Sequence, residues 1–299
     1  MKHNLPEYYP SCDQLPFNRG ALDREFLLET PASDPGGEGF WLLMQGTQVL
    51  IQAGDSPTLP SGPMPTNLGD AQTAHYIGRW QGAPCRLFAV NREVEISPPL
   101  IPVNILAPEP GLPLPLLSLA GLGNAILHWE KTSRCCDNCG GKMERVAREW
   151  GKRCSVCGAL HYPRIHPCVI VLVRRANRLL LVRKPEWPAN RFGLVAGFVE
   201  FGENFEQTVE RELFEETGIR VSNIRYQGSQ SWPFPSQIMA GFSADYQSGE
   251  IQLQDDELVE GDWFAIDNLP QLPPRRSIAR WLIDQAIKDL QTGASKLKD

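Results

Sequence analysis

The sequence predicts an α+β protein, and three observations carry that prediction. In the first third of its 299 residues, short apolar runs flank glycine-bearing turns, as antiparallel strands do. Near the middle, two C-x2-C pairs lie close together. Beyond them, β-branched and leucine-rich runs surround one acidic stretch, Gly197 to Ile219, reading GFVEFGENFEQTVERELFEETGI. The expected order is a mostly β N-terminal domain with a proline-rich linker over 1–115, a helix and four-cysteine ribbon over 116–160, and a strand-and-helix domain over 161–299.

The chain is 42% hydrophobic and 21% charged, the balance of an ordinary globular protein. A net charge of -6 excludes whole-molecule attraction to nucleic acid or to an anionic membrane. The start, MKHNLPEYYPSCDQLPF, lacks the apolar core of a signal peptide. The longest apolar run, Leu112 to Leu127, is broken by proline and glycine. A cytoplasmic location without membrane contact is expected.

In chain order, Phe40 to Met44 and Gln48 to Gln52 flank Gln45-Gly46-Thr47, and Tyr76 to Trp80 and Cys85 to Val90 flank Gln81-Gly82-Ala83-Pro84. Both read as hairpins, with Asp55 to Asn67 an exposed loop between them. His3 and His75 belong to no catalytic constellation, so this region reads as scaffold. Ala107 to Pro115 carries four prolines and reads as a linker. Leu116 to Lys131 follows with helical spacing, and Leu119, Leu122, Ile126 and Trp129 are its expected buried face.

Five of the eight cysteines fall within 23 residues, which favours metal ligation over a disulfide framework. Cys136-x2-Cys139, fourteen residues and Cys154-x2-Cys157 place four thiolates around one tetrahedral Zn2+. With every position filled and none open to water, the zinc is expected to be structural. Cys135 could take the place of Cys136; the spacing favours Cys136 and leaves Cys135 a free thiol. The ribbon is locally basic, with Lys131, Arg134, Lys142, Arg145, Arg148, Lys152 and Arg153 against Glu130, Asp137, Glu144 and Glu149. Such a patch serves either RNA contact or a solvated face.

In the last domain, Val169 to Val173 and Leu179 to Arg183 read as a hairpin, and Phe192 to Ala196 as a strand leading into the acidic stretch. Gln237 to Tyr246 and Gly261 to Ala265 read as further strands, and Ser277 to Leu290 as a terminal helix. The acidic stretch itself predicts a helix from about Glu203 to Thr217, closed by Gly218. Positions i, i+3 and i+4 share a face, so Glu212, Glu215 and Glu216 project together. Glu212 and Glu216 fall at the edge of the apolar stripe Phe205, Val209 and Leu213. Carboxylates aimed inward need a cation, which a hard divalent metal supplies.

The full spacing is Gly197, five residues, Glu203, seven residues, then Arg211-Glu212-Leu213-Phe214-Glu215-Glu216-Thr217-Gly218-Ile219. It resembles the Nudix box at every defined position. The resemblance implies an α/β/α sandwich and a Mg2+- or Mn2+-dependent hydrolase of nucleoside diphosphate derivatives. By it, Glu212, Glu215 and Glu216 bind the metals, while Glu203 and Arg211 pair to brace the turn. Glu257, in Asp255-Asp256-Glu257, matches an additional acidic residue of the family that completes the metal shell or acts as base.

Ser229 to Gln237 reads SQSWPFPSQ and, with two prolines and two aromatics, is expected to be a stiff loop and no regular strand. It resembles SQPWPFPxS, the mark of the NADH pyrophosphatase subgroup, departing at Ser231 and Gln237. That subgroup also carries the zinc ribbon and is usually a homodimer whose subunits share the active site. The resemblance implies hydrolysis of NADH or NAD+ to nicotinamide mononucleotide and AMP, and removal of the NAD cap from RNA, which holds the same linkage. By family position Gln230, Ser231, Trp232, Pro233, Phe234, Pro235, Ser236, Gln237, Ala196 and Ala279 line the nucleotide pocket. Phe198 and Tyr162 either stack on a ring of the substrate or pack in the core. The residues leave open NADH against NAD+ or capped RNA, Mg2+ against Mn2+, and which glutamate accepts the proton. Two other classes share parts of the pattern: a nucleotide sensor, and an RNA-binding ribbon protein whose Nudix domain serves another substrate such as ADP-ribose. The intact box argues against the sensor.

Overall fold

The structure, a computed structural model, describes residues 5–22, 24–54, 56–64, 67–254 and 257–292; His3, Asp55, Asp255 and Asp256 lie outside them. The chain forms two compact units, one mainly of Pro16–Ile165 with Trp232–Ser236, the other mainly of Pro6–Leu15, His166–Ser231 and the chain from Gln237 on.

The first unit holds a six-stranded sheet built from β1 (Phe26–Leu28), β2 (Phe40–Gln45), β3 (Gln48–Gln52), β4 (His75–Trp80), β5 (Ala83–Ala89) and β6 (Leu100–Asn104), in the order β1-β4-β5-β2-β3-β6. The two expected hairpins are present. The run Phe40 to Met44 does not alternate with polar residues because both sheet faces are covered. Leu42 and Met44 join one core cluster with α1 (Leu114–Thr132), while Trp41 and Leu43 join another with Phe88 and Leu100. Helix α1 starts two residues earlier than expected, because Pro115 sits in its first turn, where no backbone N–H is needed. Leu119, Ile126 and Trp129 are buried as expected, but Leu122 is only half-buried. Glycine takes the close-packed positions instead. A Cβ on Gly121 would stand 2.3 Å from the Phe17 ring and one on Gly123 2.6 Å from Leu42, so helix and sheet approach more closely than leucine allows.

The ribbon folds as β7 (Met143–Arg145), β8 (Lys152–Cys154) and β9 (Leu160–His161) in one antiparallel sheet. Such short strands gave no readable period.

The second unit is a mixed sheet of β10 (His166–Arg175), β11 (Arg178–Arg183), β12 (Val195–Phe198), β13 (Arg220–Trp232), β14 (Gln237–Ser248) and β15 (Glu260–Ala265). Its order is β13-β14-β10-β11-β15, with β12 on β10. Val169, Val171, Ala240 and Phe242 bury one face against Val209 and Leu213 of α2 (Phe205–Thr217). On the other face Gly241 lies under Ile278 and Leu282 of α3 (Ile278–Thr292), where a Cβ would come within 2.9 Å of Ile278. This is the expected α/β/α sandwich.

Three expectations are corrected. The strand read over Phe192 to Ala196 is displaced to Val195–Phe198, because Phe192 and Gly193 bond to Gln271 and Val182 instead of β10. The acidic helix begins at Phe205, not Glu203: Asn204 accepts from the Gln207 amide at 2.8 Å and Gln207 returns the bond to Asn204 N–H at 2.9 Å, a capping box that fixes the start. Its first apolar residue, Phe205, is exposed. Finally, Ser229 to Trp232 is regular strand, the end of β13, and only Pro233 to Ser236 turn. The first residue lacking an N–H is Pro233, so nothing stops the ladder before it. The rest of β13 escaped the reading because it is a mostly polar edge strand.

Gly218 closes α2 at φ 70°, and its amide donates to the Phe214 carbonyl at 2.9 Å. Gly218→Ala is expected to cost about 1 kcal/mol, since a Cβ is strained at positive φ and would stand 3.0 Å from the Glu250 carbonyl oxygen. The denaturation midpoint checks it.

Candidate active site

Strand β12, helix α2 and the first residues of β14 enclose a cleft of about 890 Å³. Ala196, Gly197 and Phe198 line it from β12, Arg211, Glu212, Glu215 and Glu216 from α2, Gln237 and Met239 from β14, and Glu257 from the loop before β15. Pairing with β10 sets this arrangement: Val169 stands opposite Gly197 and Cys168 opposite Phe198.

Arg211 ties the turn to the helix. Its Nε donates to Glu203 Oε1 at 2.6 Å and one terminal nitrogen to Glu203 Oε2 at 3.0 Å and to the Phe198 carbonyl at 2.9 Å. The other terminal nitrogen reaches Glu212 Oε1 at 2.9 Å and Glu215 Oε2 at 3.0 Å. Glu203 also accepts from the Glu200 amide and the Thr208 hydroxyl. The Arg211 hydrogen bonds, then the Glu200 amide, pull the Glu203 carboxyl down to about 2.

Gly197 is required by proximity. A Cβ there would stand 1.9 Å from the carboxylate carbon of Glu212, so the bare backbone of β12 is what lets that carboxylate lie against it. Burial raises the Glu212 pKa against the pull of Arg211. Glu216 is deeper, 1% exposed, and neither of its carboxylate oxygens has a hydrogen-bond partner among the described residues. Burial first, with Glu257 and Glu212 adding to it, pushes Glu216 up to about 8 despite the attraction of Lys184. Two orphaned carboxylate oxygens beside further carboxylates are a costly arrangement without a cation. The donor set is all oxygen, and it fits a hard divalent ion.

The predicted residues divide in their placement. Glu212, Glu215, Glu216, Glu257, Ala196, Phe198 and Gln237 share the cleft. Phe198 is half exposed, so it is not a core residue. Gln230 is buried elsewhere in the second unit, donating to the Arg276 carbonyl and accepting from the Ile278 amide, both at 2.7 Å. Ala279 is buried on α3. Trp232 and Phe234 belong to the first unit, where they pack edge-on against Phe17 and each other, and the Pro233 carbonyl accepts from Asn124. Both are half-buried, because Phe17 supplies an apolar partner. Ser236 is buried, Pro235 exposed, and Ser231 lies on β13. Tyr162 is half exposed in the first unit, its hydroxyl donating to Glu149. Lys184, Cys168, Met239 and Gln254 also line the cleft. No motif marks them; only strand pairing and loop closure bring them there.

In the ribbon, the Sγ atoms of Cys136, Cys139, Cys154 and Cys157 lie within 4.8 Å of one another. Cys136 is 3.6 Å from Cys157 and Cys139 is 3.5 Å from Cys154. A tetrahedron of thiolates around zinc has edges of about 3.8 Å. The four sulfurs therefore fit the ion, and the amides of Val156 and Cys157 pointing at Cys154 Sγ support the site from outside. Cys135 is exposed and outside the group. His161 was not anticipated; its Nε2 lies 3.5 Å from Cys136 Sγ.

Comparison with known proteins places the chain in a family. A model of the NUDIX domain matches residues 164–284, and one described as the NADH pyrophosphatase-like rudimentary NUDIX domain matches 38–129. The NAD-capped RNA hydrolase NudC of Pseudomonas aeruginosa is 38% identical over 250 residues, covering 82% of this chain and 88% of that protein. The protein of the same name from Vibrio vulnificus is 37% identical over 266 residues, covering 89% and 99%. Among solved structures, a NUDIX hydrolase from Nitrosomonas europaea is similar at a TM-score of 0.44 and 25% identity, over 55% of this chain and 93% of that one.

Two outcomes test the site. A divalent cation such as Mn2+ is expected to raise the thermal midpoint of the wild type, and Gly197→Ala, whose Cβ would displace Glu212, is expected to abolish that rise. For Glu203, the folded pKa lies below its ordinary 4.5, so its stabilising contribution is present above pH 4.5 and lost as pH falls toward 2. The stability gap between wild type and Glu203→Gln should accordingly shrink across that window, as followed by urea denaturation.

Proposed function

Because this chain belongs to the Nudix hydrolases, in the family of the NAD-capped RNA hydrolases, we propose that its acidic cleft hydrolyses the pyrophosphate of NADH and NAD+ and of the NAD cap on RNA. The products are nicotinamide mononucleotide, in its reduced form when NADH is cleaved, together with AMP or with RNA bearing a 5′ phosphate. The observation that carries the reading is the buried Glu216 carboxylate, orphaned beside Glu212 and Glu257 in a cleft that also holds Lys184.

Mg2+ or Mn2+, when bound, supplies charge neutralisation and Lewis-acid polarisation of the pyrophosphate. Glu212, Glu215, Glu216 and Glu257 would hold it. Arg211 keeps Glu212 and Glu215 oriented, so their geometry is set before substrate arrives. A cleft carboxylate takes the proton from the attacking water as one bridging P–O bond breaks. Lys184 is the cleft cation without an ion pair among the described residues, since Arg211 is engaged by three carboxylates; it offsets phosphate charge. Ala196, Phe198 and Gln237 form walls for the nucleotide, with the half-exposed Phe198 ring a face for stacking.

Cys136, Cys139, Cys154 and Cys157 would hold a Zn2+ that staples the ribbon and does no chemistry, since four thiolates would leave it no open position. We assign a homodimer, supported by the exposed aromatics Phe198, Phe201 and Tyr162. No helix among the described residues is long and apolar enough to cross a membrane. A cytoplasmic location is supported by eight cysteines free of disulfides.

A product assay on NADH, NAD+, ADP-ribose and NAD-capped RNA tests the reading. Release of nicotinamide mononucleotide well above the rate of ADP-ribose cleavage is expected, and a preference for ADP-ribose overturns it. Glu216→Gln should lower kcat on NADH by about a hundredfold or more while the fold persists; near-normal turnover removes Glu216 from the metal site.

A further inference from the structure

The first unit holds a second cavity, of about 720 Å³, where the C-terminal turn of α1, the β7–β8 ribbon and the start of β4 come together. Its ionic lining comprises Glu130, Lys131 and Arg134 from and just beyond α1, Lys142 and Lys152 from the ribbon, and His75 from β4. Glu130 is its acidic lining residue, and it is already neutralised: Lys152 Nζ lies 2.9 Å from one oxygen and Arg145 2.8 Å from the other. Lys152 is itself buried, held by the carbonyl and hydroxyl of Ser133 and set over the Trp129 ring. That leaves Lys131, Arg134 and Lys142 on the rim, none with an ion pair among the described residues.

A helix C-terminus attracts cations, which accounts for Lys131 and Arg134 without any ligand. It does not account for Lys142, which comes from the ribbon and converges on the same opening. Nor does it explain why the acid facing them is cancelled twice over. In a chain of net charge -6, three uncompensated cations around one cavity form a local anion site against the global field.

We propose that this cavity binds the phosphate backbone of single-stranded RNA, the body of the capped substrate. This rests on the reading of the enzyme as an NAD-cap hydrolase. A flexible strand can bring successive phosphates to Lys131, Arg134 and Lys142. NADH has no strand beyond its pyrophosphate and does not use the site.

The test uses the full-length, zinc-loaded protein and the triple variant Lys131→Ser, Arg134→Ser, Lys142→Ser, with Lys142→Ser alone as a milder form. Binding of a 5′-monophosphate single-stranded RNA is measured against salt, so the readout does not depend on catalysis. Each phosphate contact contributes about 0.7 to the slope of log K against log salt, so the triple variant should lose about 2 units of slope and the single variant about a third of that. KM for NAD-capped RNA should rise about tenfold or more, with kcat/KM on NADH unchanged. An unchanged slope and unchanged RNA affinity in the triple variant overturn the proposal, as does an equal loss of RNA and NADH turnover. A wild type that binds RNA through these residues yet cleaves no NAD linkage refutes the catalytic reading and leaves the RNA site standing.

Discussion

Arg211 is the cation on which the acidic site depends. Glu203 sits before the helix, Glu212 and Glu215 on it, and the Phe198 carbonyl on the strand that faces it; one guanidinium contacts all four. Its planar fork can satisfy a bidentate carboxylate and three further acceptors at once, which a lysine ammonium cannot do in the same fixed geometry. Without that clamp, loop, strand and helix would each hold their carboxylates independently, and like charges would separate them. The capping box at Asn204 and the left-handed Gly218 fix the two ends of the same helix.

The site is also arranged at a cost to stability. Glu216 is buried with both oxygens unpaired among the described residues, and Glu212 lies against a backbone that tolerates only glycine. Neither feature helps the metal-free fold. Both make sense as a pre-formed oxygen cradle whose charge is compensated when a divalent cation enters. The ribbon represents the opposite case. Four sulfurs lie close enough to fill the coordination of one ion, so a metal held there would contribute to folding and not to chemistry.

Much of this was legible in the chain, for identifiable reasons. The acidic helix shows because 3.6-residue periodicity and a terminal glycine are both local. The ribbon cysteines show because knuckle spacing is local too. The helix start was read two residues early because Glu203 has helical character, and only the reciprocal bonds of Asn204 and Gln207 exclude it. Strand β13 was missed because an edge strand need not alternate. Leu122 was placed in the core because sequence favours leucine over glycine there, whereas Gly121 and Gly123 let the helix close on Phe17 and Leu42.

The sequence by itself determined the reaction class, the metal-binding side chains to be expected and the family, since each rests on residue identity at fixed spacing within a few turns of chain. Tertiary structure alone decided which of the expected residues meet. Pairing of β10 with β12 and β14 brings Phe198, Ala196 and Gln237 to the cleft with the glutamates and adds Cys168 and Met239. Loop closure adds Lys184 and Glu257. The same folding removes Gln230 and Ala279 into the core and seats Trp232 and Phe234 against Phe17. These are contacts between residues tens to hundreds of positions apart, set by register and packing, and no short-range pattern encodes them.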